Sequence, residues 1–350
     1  MRTLPALCTL PLLCSLAVAQ SPTPASTPIP VTVIFQQPVL DKIAGNFHVP
    51  PVEHKFPDDH TFNLVLWQPN PFIRDGFLVP SSISSEDKTG LKLSDPIHQQ
   101  LAFRDAPGSS LVQVDGDAVG VYINSADLSK GSPGSKMMIT PEFMAKPADR
   151  IRPYAKPGMA IVTTFDLQIP ISHADNSHAS QADNKHSLTY IVTDFVFEDR
   201  TTHTKITYEF TCFHLGMFHG NPPPVAWLRK YEAGAYDAPS QTFQVNNPIS
   251  PDSRLHTVLP GSTLFQSAPW TGWRPFRVAI TQQNFATSLQ ALLADNKGFK
   301  GSANPADYTL ISAHLNAELK YDAGPSDLGW SLRRERISLV PAARLTDLTF

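Results

Sequence analysis

Residues 205–215 read Lys-Ile-Thr-Tyr-Glu-Phe-Thr-Cys-Phe-His-Leu. Ile206, Tyr208, Phe210 and Cys212 alternate with Thr207, Glu209, Thr211 and Phe213. A period of two marks a β-strand with one face on a core. The first set is the core face. The second projects away from it and carries Glu209 among threonines and one aromatic ring. Working outward, residues 188–197 form another strand-like run, and Glu198-Asp199-Arg200-Thr201 is a polar tip that joins the two as a hairpin. Residues 160–169, 274–280, 308–321 and 329–340 also alternate. One helix is expected where Phe285, Leu289, Leu292 and Leu293 recur at helical spacing, with Asn284 as N-cap and Gly298 past the end. Many alternating strands and one helix near the C-terminus predict an all-β chain folded as a two-sheet jelly-roll sandwich.

The N-terminal half is less regular. Residues 31–35, 62–67 and 111–114 are β-rich, and Asp115-Gly116 signals a hairpin turn before residues 118–123. Residues 124–158 contain Pro133, Pro141, Pro147, Pro153 and Pro157 and read as mostly loop. We expect residues 31–157 to add strands to the sandwich whose core is residues 158–350. Residues 1–19 have the three parts of a secretory signal: Arg2, an apolar stretch over residues 10–18, and Ala17-Val18-Ala19 as a small-x-small cleavage site. Residues 20–30 are a Pro, Ser and Thr-rich tether. The chain is therefore expected to be secreted or periplasmic after cleavage near Ala19, with no membrane span. Cys212 is then the one cysteine left of three, so no internal disulfide forms and stability rests on the core.

Composition narrows the function. Lys and Arg number 28 against 31 Asp and Glu, which excludes the basic stripe that nucleic-acid binding needs. Charged residues are only 17% of the chain, so each carboxylate on a non-core strand face is informative. Three strands carry one apiece. Asp166 lies opposite Phe165 and Leu167. Glu209 is described above. Glu318 shares a face with Ser312, His314 and Asn316, opposite Ile311, Ala313, Leu315, Ala317 and Leu319. If the three meet on one curved sheet, they are the equipment for glycoside hydrolysis, in which one carboxyl protonates the leaving oxygen and another attacks or activates water. The same pattern also fits solvated outer-face residues of a sandwich.

The order of these motifs resembles that of the family 12 glycoside hydrolases, which are concanavalin A-like β-jelly rolls. That family has Tyr-Asp-Leu/Ile-Phe, where this chain has Phe165-Asp166-Leu167-Gln168. Its nucleophile strand, Tyr-Glu-Leu/Ile-Met-Ile-Trp, aligns with Tyr208-Glu209-Phe210-Thr211-Cys212-Phe213. A strand, a helix ending near Asn-x-Gly-Tyr/Phe, and a strand with the acid/base Glu follow. They match residues 276–280, the helix near 284–293, Asn296-Lys297-Gly298-Phe299, and Asn316-Ala317-Glu318-Leu319. The family's Met and Trp are Thr211 and Phe213 here, and its Thr-Glu-Pro is Ala317-Glu318-Leu319. The likeness spans about residues 158–340. It implies a retaining mechanism with Glu209 as nucleophile, Glu318 as acid/base, and Asp166 beside Glu209 setting its protonation. The implied partner is a β-linked glucan-type polysaccharide or oligosaccharide.

Trp227, Tyr236, Trp270, Trp273 and Phe213 are candidates to stack on sugar rings, with His314 and Asn316 as polar contacts. No cofactor or metal site is expected. The three histidines and two aspartates of residues 173–186 have no zinc-ligand spacing, and neither do His214 and His219. No Gly-x-Ser-x-Gly elbow and no phosphate-binding glycine loop occurs. A glycan-binding protein without catalysis, and an envelope protein whose groove holds something other than sugar, remain the other readings.

Overall fold

The computed structural model describes residues 28–36, 150–177, 187–215, 228, 234–237, 241–321 and 323–350, together with the segments 61–67, 92–95, 100–104, 110–115, 118–125 and 135–144. The expected signal segment, most of the tether and Trp227 lie outside the described residues. The strands in chain order are β1 (Thr32–Gln36), β2 (Thr61–Trp67), β3 (Lys92–Asp95), β4 (Gln100–Arg104), β5 (Ser110–Asp115), β6 (Ala118–Asn124), β7 (Ser135–Met144) and β8 (Met159–Ala174). They continue with β9 (Leu188–Asp199), β10 (Lys205–Leu215), β11 (Ala235–Asp237), β12 (Thr242–Pro248), β13 (Thr257–Val258), β14 (Trp270–Thr281), β15 (Tyr308–Tyr321) and β16 (Ser326–Pro341). The α-helix α1 spans Gln282–Asp295.

Two sheets form. A nine-stranded sheet runs β13-β14-β8-β16-β6-β5-β4-β3, with β1 also paired to β16. A seven-stranded sheet runs β11-β12-β10-β9-β15-β7-β2. The chain crosses between sheets after β1, β2, β6, β7, β8, β12, β14 and β15. That alternation of sheets is the connectivity of a jelly-roll sandwich. Strands from the N-terminal half complete both sheets, β6 pairing with β16 and β7 with β15. Residues 124–158 are not all loop, since β7 lies within them. Its Pro141 falls between Glu142, paired with His314, and Ile139, paired with Ala317. On its other side Pro141 is paired with Leu64 of β2.

The inner faces meet as alternation requires. Ile161, Phe165, Leu167 and Ile169 of β8 pack with Ile206, Tyr208 and Phe210 of β10 and with Leu315, Ala317 and Leu319 of β15. Cys212 is buried in this core, and burial pushes its thiol pKa up, which keeps it protonated and inert. Helix α1 seals one end with Phe285, Leu289 and Leu292. The Phe285 ring sits 4.6 Å from Phe197, 5.2 Å from Tyr308, 5.3 Å from Tyr154 and 5.8 Å from Tyr208, centroid to centroid. Leu293 faces outward and is exposed. The N-cap is Thr281, not Asn284. Thr281 Oγ1 accepts from the Asn284 N–H while the Asn284 side chain accepts from the Thr281 N–H, a capping box that places Asn284 at the third helical position.

Two β-bulges shift faces that strict alternation misassigns. Between Thr211 and Phe213 the register of β10 against β9 slips, so Phe213 turns into the core and His214 pairs with Tyr190 on the opposite face. Between Leu310 and Ser312 the same happens in β15, and Leu310 rather than Ile311 fills the core. A bulge adds one residue to one strand, which inverts the in–out pattern beyond it.

Two imidazoles are buried in this arrangement. His256 Nε2 accepts from the Ser250 N–H at 3.2 Å, and its ring packs edge-on to Phe210. Burial lowers the pKa of His256 to about 3 and that of His214 to about 4. An unfolded imidazole titrates near 6.5. Below that pH the unfolded chain binds protons that the folded chain refuses, so their stabilisation is present above about pH 6.5 and is lost as the pH falls towards 4 and 3.

Two outcomes are expected. Phe285→Ala removes the ring at the centre of the aromatic cluster and costs about 3–5 kcal/mol of unfolding free energy, read from urea denaturation at pH 7. The wild-type urea midpoint falls steadily from pH 7 to pH 4, and a midpoint that is flat over this range contradicts the neutral buried histidines.

Candidate active site

The seven-stranded sheet has a second face, turned away from the core, and it is polar. Strand β9 lies in the middle, with β10 on one side and β15 on the other. The hairpin tip fixes the pairing: Lys205 opposes Glu198, and four residues further along Glu209 opposes Asp194. Asp194 in turn opposes His314 on β15. One row across three strands is therefore Glu209, Asp194 and His314. Four residues along β9, Tyr190 opposes His214 on β10 and Glu318 on β15, which makes a second row. Directly opposed residues point to the same side of a sheet, as do residues four apart on one strand. The side chains of Glu209, Asp194, His214, Tyr190 and Glu318 therefore share this face.

These groups are bonded to one another. The Tyr190 hydroxyl donates to Glu318 Oε2. Asn316 Nδ2 donates to Asp194 Oδ2. Asn246, on the parallel neighbour β12, opposes Glu209 and donates from Nδ2 to its Oε2 at 2.6 Å. Thr211 Oγ1 donates to Asn246 Oδ1 at 2.9 Å and so orients that amide. The His214 ring stacks on Tyr190 with centroids 5.5 Å apart and planes 9° from parallel. Asp194 is 1% exposed and Glu318 5%, while Glu209 is partly exposed.

Tyr190 is the electrical centre of the cluster. Its pKa is raised well above the ordinary tyrosine value, first by burial and then by Glu318, with Glu209 and Asp194 adding to it. A phenol pushed that way stays protonated and remains a hydrogen-bond donor to Glu318 at every physiological pH. Because it responds to all three carboxylates, these lie within one electrostatic neighbourhood.

The sequence-derived candidates divide sharply. Glu209, Glu318, Asn316 and the backbone of His314 come together on this face. Asp166 does not join them. It lies on β8 in the other sheet, on that sheet's outer face, where Arg333 Nε bonds its Oδ2 at 3.0 Å. Alternation tells which side of a strand faces the core but not to which sheet the strand belongs. Asp194 holds the place beside Glu209 that was expected of Asp166, and it was missed. Its signal was the hairpin itself: a tip centred between Arg200 and His203 sets Glu209 against Asp194 by counting back.

The aromatic candidates also fall elsewhere. Trp270 and Trp273 are in strand β14 rather than a loop. Trp270 is 5% exposed and donates from Nε1 to the Leu167 carbonyl, with Phe213 and Phe276 beside it in the core. Neither Trp270 nor Phe213 presents a ring to a sugar. Trp273 lies in the nine-stranded sheet, under the Arg333 guanidinium. Tyr236 is exposed on the edge strand β11, but it opposes Phe243 and packs against it, on the face opposite Glu209. Among the described residues, no group of three or more His, Cys, Asp and Glu side chains is arranged to hold a metal ion. No helix among them is long and apolar enough to cross a membrane.

No protein-family model and no curated protein matches the chain. Solved structures do. A family 12 xyloglucanase from Bacillus licheniformis, in complex with ligand, is 9% identical, with 83% of this chain and 97% of that one covered at a TM-score of 0.33. The xyloglucanase domain of NopAA, a type three effector from Sinorhizobium fredii solved with cellobiose, is 11% identical, with 83% and 96% covered at a TM-score of 0.31. The family 11 xylanase from Neocallimastix patriciarum is 10% identical, with 65% and 87% covered at a TM-score of 0.29. Overlaps this low carry no weight for the chemistry, and the fold described above rests on its own strand order.

Proposed function

We propose that this chain is an exported carbohydrate-active protein that hydrolyses a β-linked glucan-type polysaccharide. Glu209 acts as nucleophile and Glu318 as acid/base. The observation that carries this reading is the strand register, which sets Glu209 and Glu318 on one face of the sheet with the Tyr190 phenol bonded to Glu318. Retaining hydrolysis needs two carboxyls about 5–5.5 Å apart, one on either side of the scissile bond. On a flat sheet, two strands across and four residues along separate the Glu209 and Glu318 Cα atoms by about 16 Å. Glutamate side chains stand up from the sheet rather than along it, and Asn246 holds the Glu209 carboxyl on the β12 side, so closing that distance requires both glutamates to tilt inwards.

In this mechanism Asn246 holds the Glu209 carboxylate in one orientation for attack on the anomeric carbon. Glu318 gives its proton to the departing sugar oxygen, then takes one from the water that releases the glycosyl group. Tyr190 stays protonated and donates to the Glu318 oxygen that does not carry the proton. Asp194, fixed by Asn316, stands beside Glu209 in the sheet register.

A second reading, glycan binding without turnover, is favoured by one observation. Asn246, Asn316 and Tyr190 each engage a carboxyl, and no aromatic candidate among the described residues stands beside them. Reducing-sugar release from xyloglucan and mixed-linkage glucan separates the two. Wild type is expected to release sugar, and Glu209→Gln and Glu318→Gln to lose at least about 100-fold in rate. Equal release by wild type and Glu209→Gln removes Glu209 as nucleophile. Retention of glucan in native affinity gels, with no release by wild type, selects the binding reading. Asp194→Asn is expected to slow release about tenfold or more, whereas Asp166→Asn leaves it unchanged. The opposite ranking would place the site on the other sheet.

A further inference from the structure

The outer face of the nine-stranded sheet carries a different chemistry. A pocket of about 410 Å³ opens there over β14, β8 and β16, walled by Leu348, Thr349 and Phe350. Its floor is two rows of the sheet. In one, Thr164 of β8 is flanked by Arg277 of β14 and Arg336 of β16. In the next, Asp166 is flanked by Pro275 and Arg333. Arg334 also lines the pocket.

The charges do not cancel. Asp166 Oδ2 takes Arg333 at 3.0 Å and Arg334 at 3.7 Å. Asp166 is the one carboxylate side chain lining the pocket, and Arg277, Arg334 and Arg336 share that lining. Arg336 is exposed and has no ion-pair partner among the described residues. Two guanidinium groups on either side of one threonine hydroxyl repel each other when nothing lies between them.

The arginines are also held in place. Gly261 has φ +72°, and a Cβ there would stand 2.7 Å from Arg277 Nη1, so this glycine lets the guanidinium lie against the turn. Arg277 Nη1 donates to the Pro260 carbonyl at 3.2 Å, and the Phe350 ring lies 4.8 Å from its Cζ. Arg333 stacks over Trp273 at 4.3 Å. At Arg334 the strand carries a bulge with φ +56°, a left-handed conformation that costs a residue with a Cβ about 1 kcal/mol or more. The other two non-glycine residues with positive φ among the described residues, His203 and Gln241, are not in strands. Strained backbone of this kind clusters at ligand-binding and active sites.

We propose that this pocket binds an oxyanion, a carboxylate or a phosphate or sulfate group, seated over Thr164 between Arg277 and Arg336. The guanidinium forks match the paired oxygens of all three groups, and the threonine hydroxyl supplies a further donor. The site lies on the sheet that Glu209 and Glu318 do not occupy, and it is independent of any hydrolysis there.

The test is calorimetric titration of the full chain at low ionic strength with three probes: inorganic phosphate, sulfate and glucuronate. Saturable binding of at least one is expected, and which one saturates separates a free inorganic ion from an acidic sugar. Arg336→Gln and Arg277→Gln should each weaken that binding about tenfold, and added salt should weaken it further. Arg200→Gln, on the hairpin tip of the other sheet, should leave it unchanged. Absence of saturation with all three probes overturns the proposal. So does wild-type affinity in either pocket variant, or an equal loss in the Arg200 variant.

Discussion

The pairing of β9 with β10 on one side and β15 on the other is what the rest of the molecule hangs on. It is a hairpin on the first side and a long-range pairing on the second, since β15 comes more than a hundred residues later. Antiparallel register leaves no freedom once one pair is set, because a slip by one residue turns every side chain to the wrong face. Here that register decides two things together. It buries Phe195 and Phe197 against Phe210, Tyr208 and Phe285 on the inner face. It also lines up Glu209 with Asp194, and Glu318 with Tyr190, on the other. The hydrophobic effect that selects the inner face therefore positions the polar one. The carboxylates crowd together because moving them apart would expose the core.

The polar face shows why such a cluster is tolerated. Buried carboxylates without partners are costly, yet each one here is met by a donor: Asn246, Asn316 or Tyr190. Two of these donors are asparagines, on β12 and β15, and the third is a phenol that its surroundings keep protonated. The β10 bulge contributes as well. By turning Phe213 inward and His214 outward, it places an imidazole flat against Tyr190. Burial keeps that imidazole neutral, so it adds no positive charge to offset the carboxylates.

Much of this was legible in the amino-acid sequence, and the misses have physical causes. Alternation in residues 160–169, 205–212 and 312–319 separated core faces from outer faces, and the side chains of Ile161, Tyr208 and Leu315 are buried as that pattern requires. The two-sheet class and the helix over residues 282–295 followed from the same periodicity. Bulges are invisible to a strict period of two, which is why Phe213 and Ile311 were assigned to the wrong faces. Sheet membership is a long-range property, so Asp166 looked equivalent to Glu209 although the two strands lie on opposite sides of the core. Asp194 was hidden by its neighbours: Val192 and Val196 share its face, and the run reads as apolar throughout. Trp270 attracted attention as a sugar platform, but a ring between Phe213 and Phe276 serves the core. The arginine rows of the outer face were not legible at all, because Arg277 and Arg336 are nearly sixty residues apart and meet only through Thr164 of β8.

A retaining hydrolase passes through a covalent bond between sugar and nucleophile, and that bond is open to direct observation. Incubation with an activated 2-deoxy-2-fluoro-cellobioside, followed by intact-mass and peptide mapping, reads it. One glycosyl label per chain, carried by Glu209 within residues 205–215, is the expected result, and the label should be absent from Glu209→Gln. A label on any other residue, or an unlabelled protein that still releases sugar from glucan, contradicts the assignment of this face as a retaining active site.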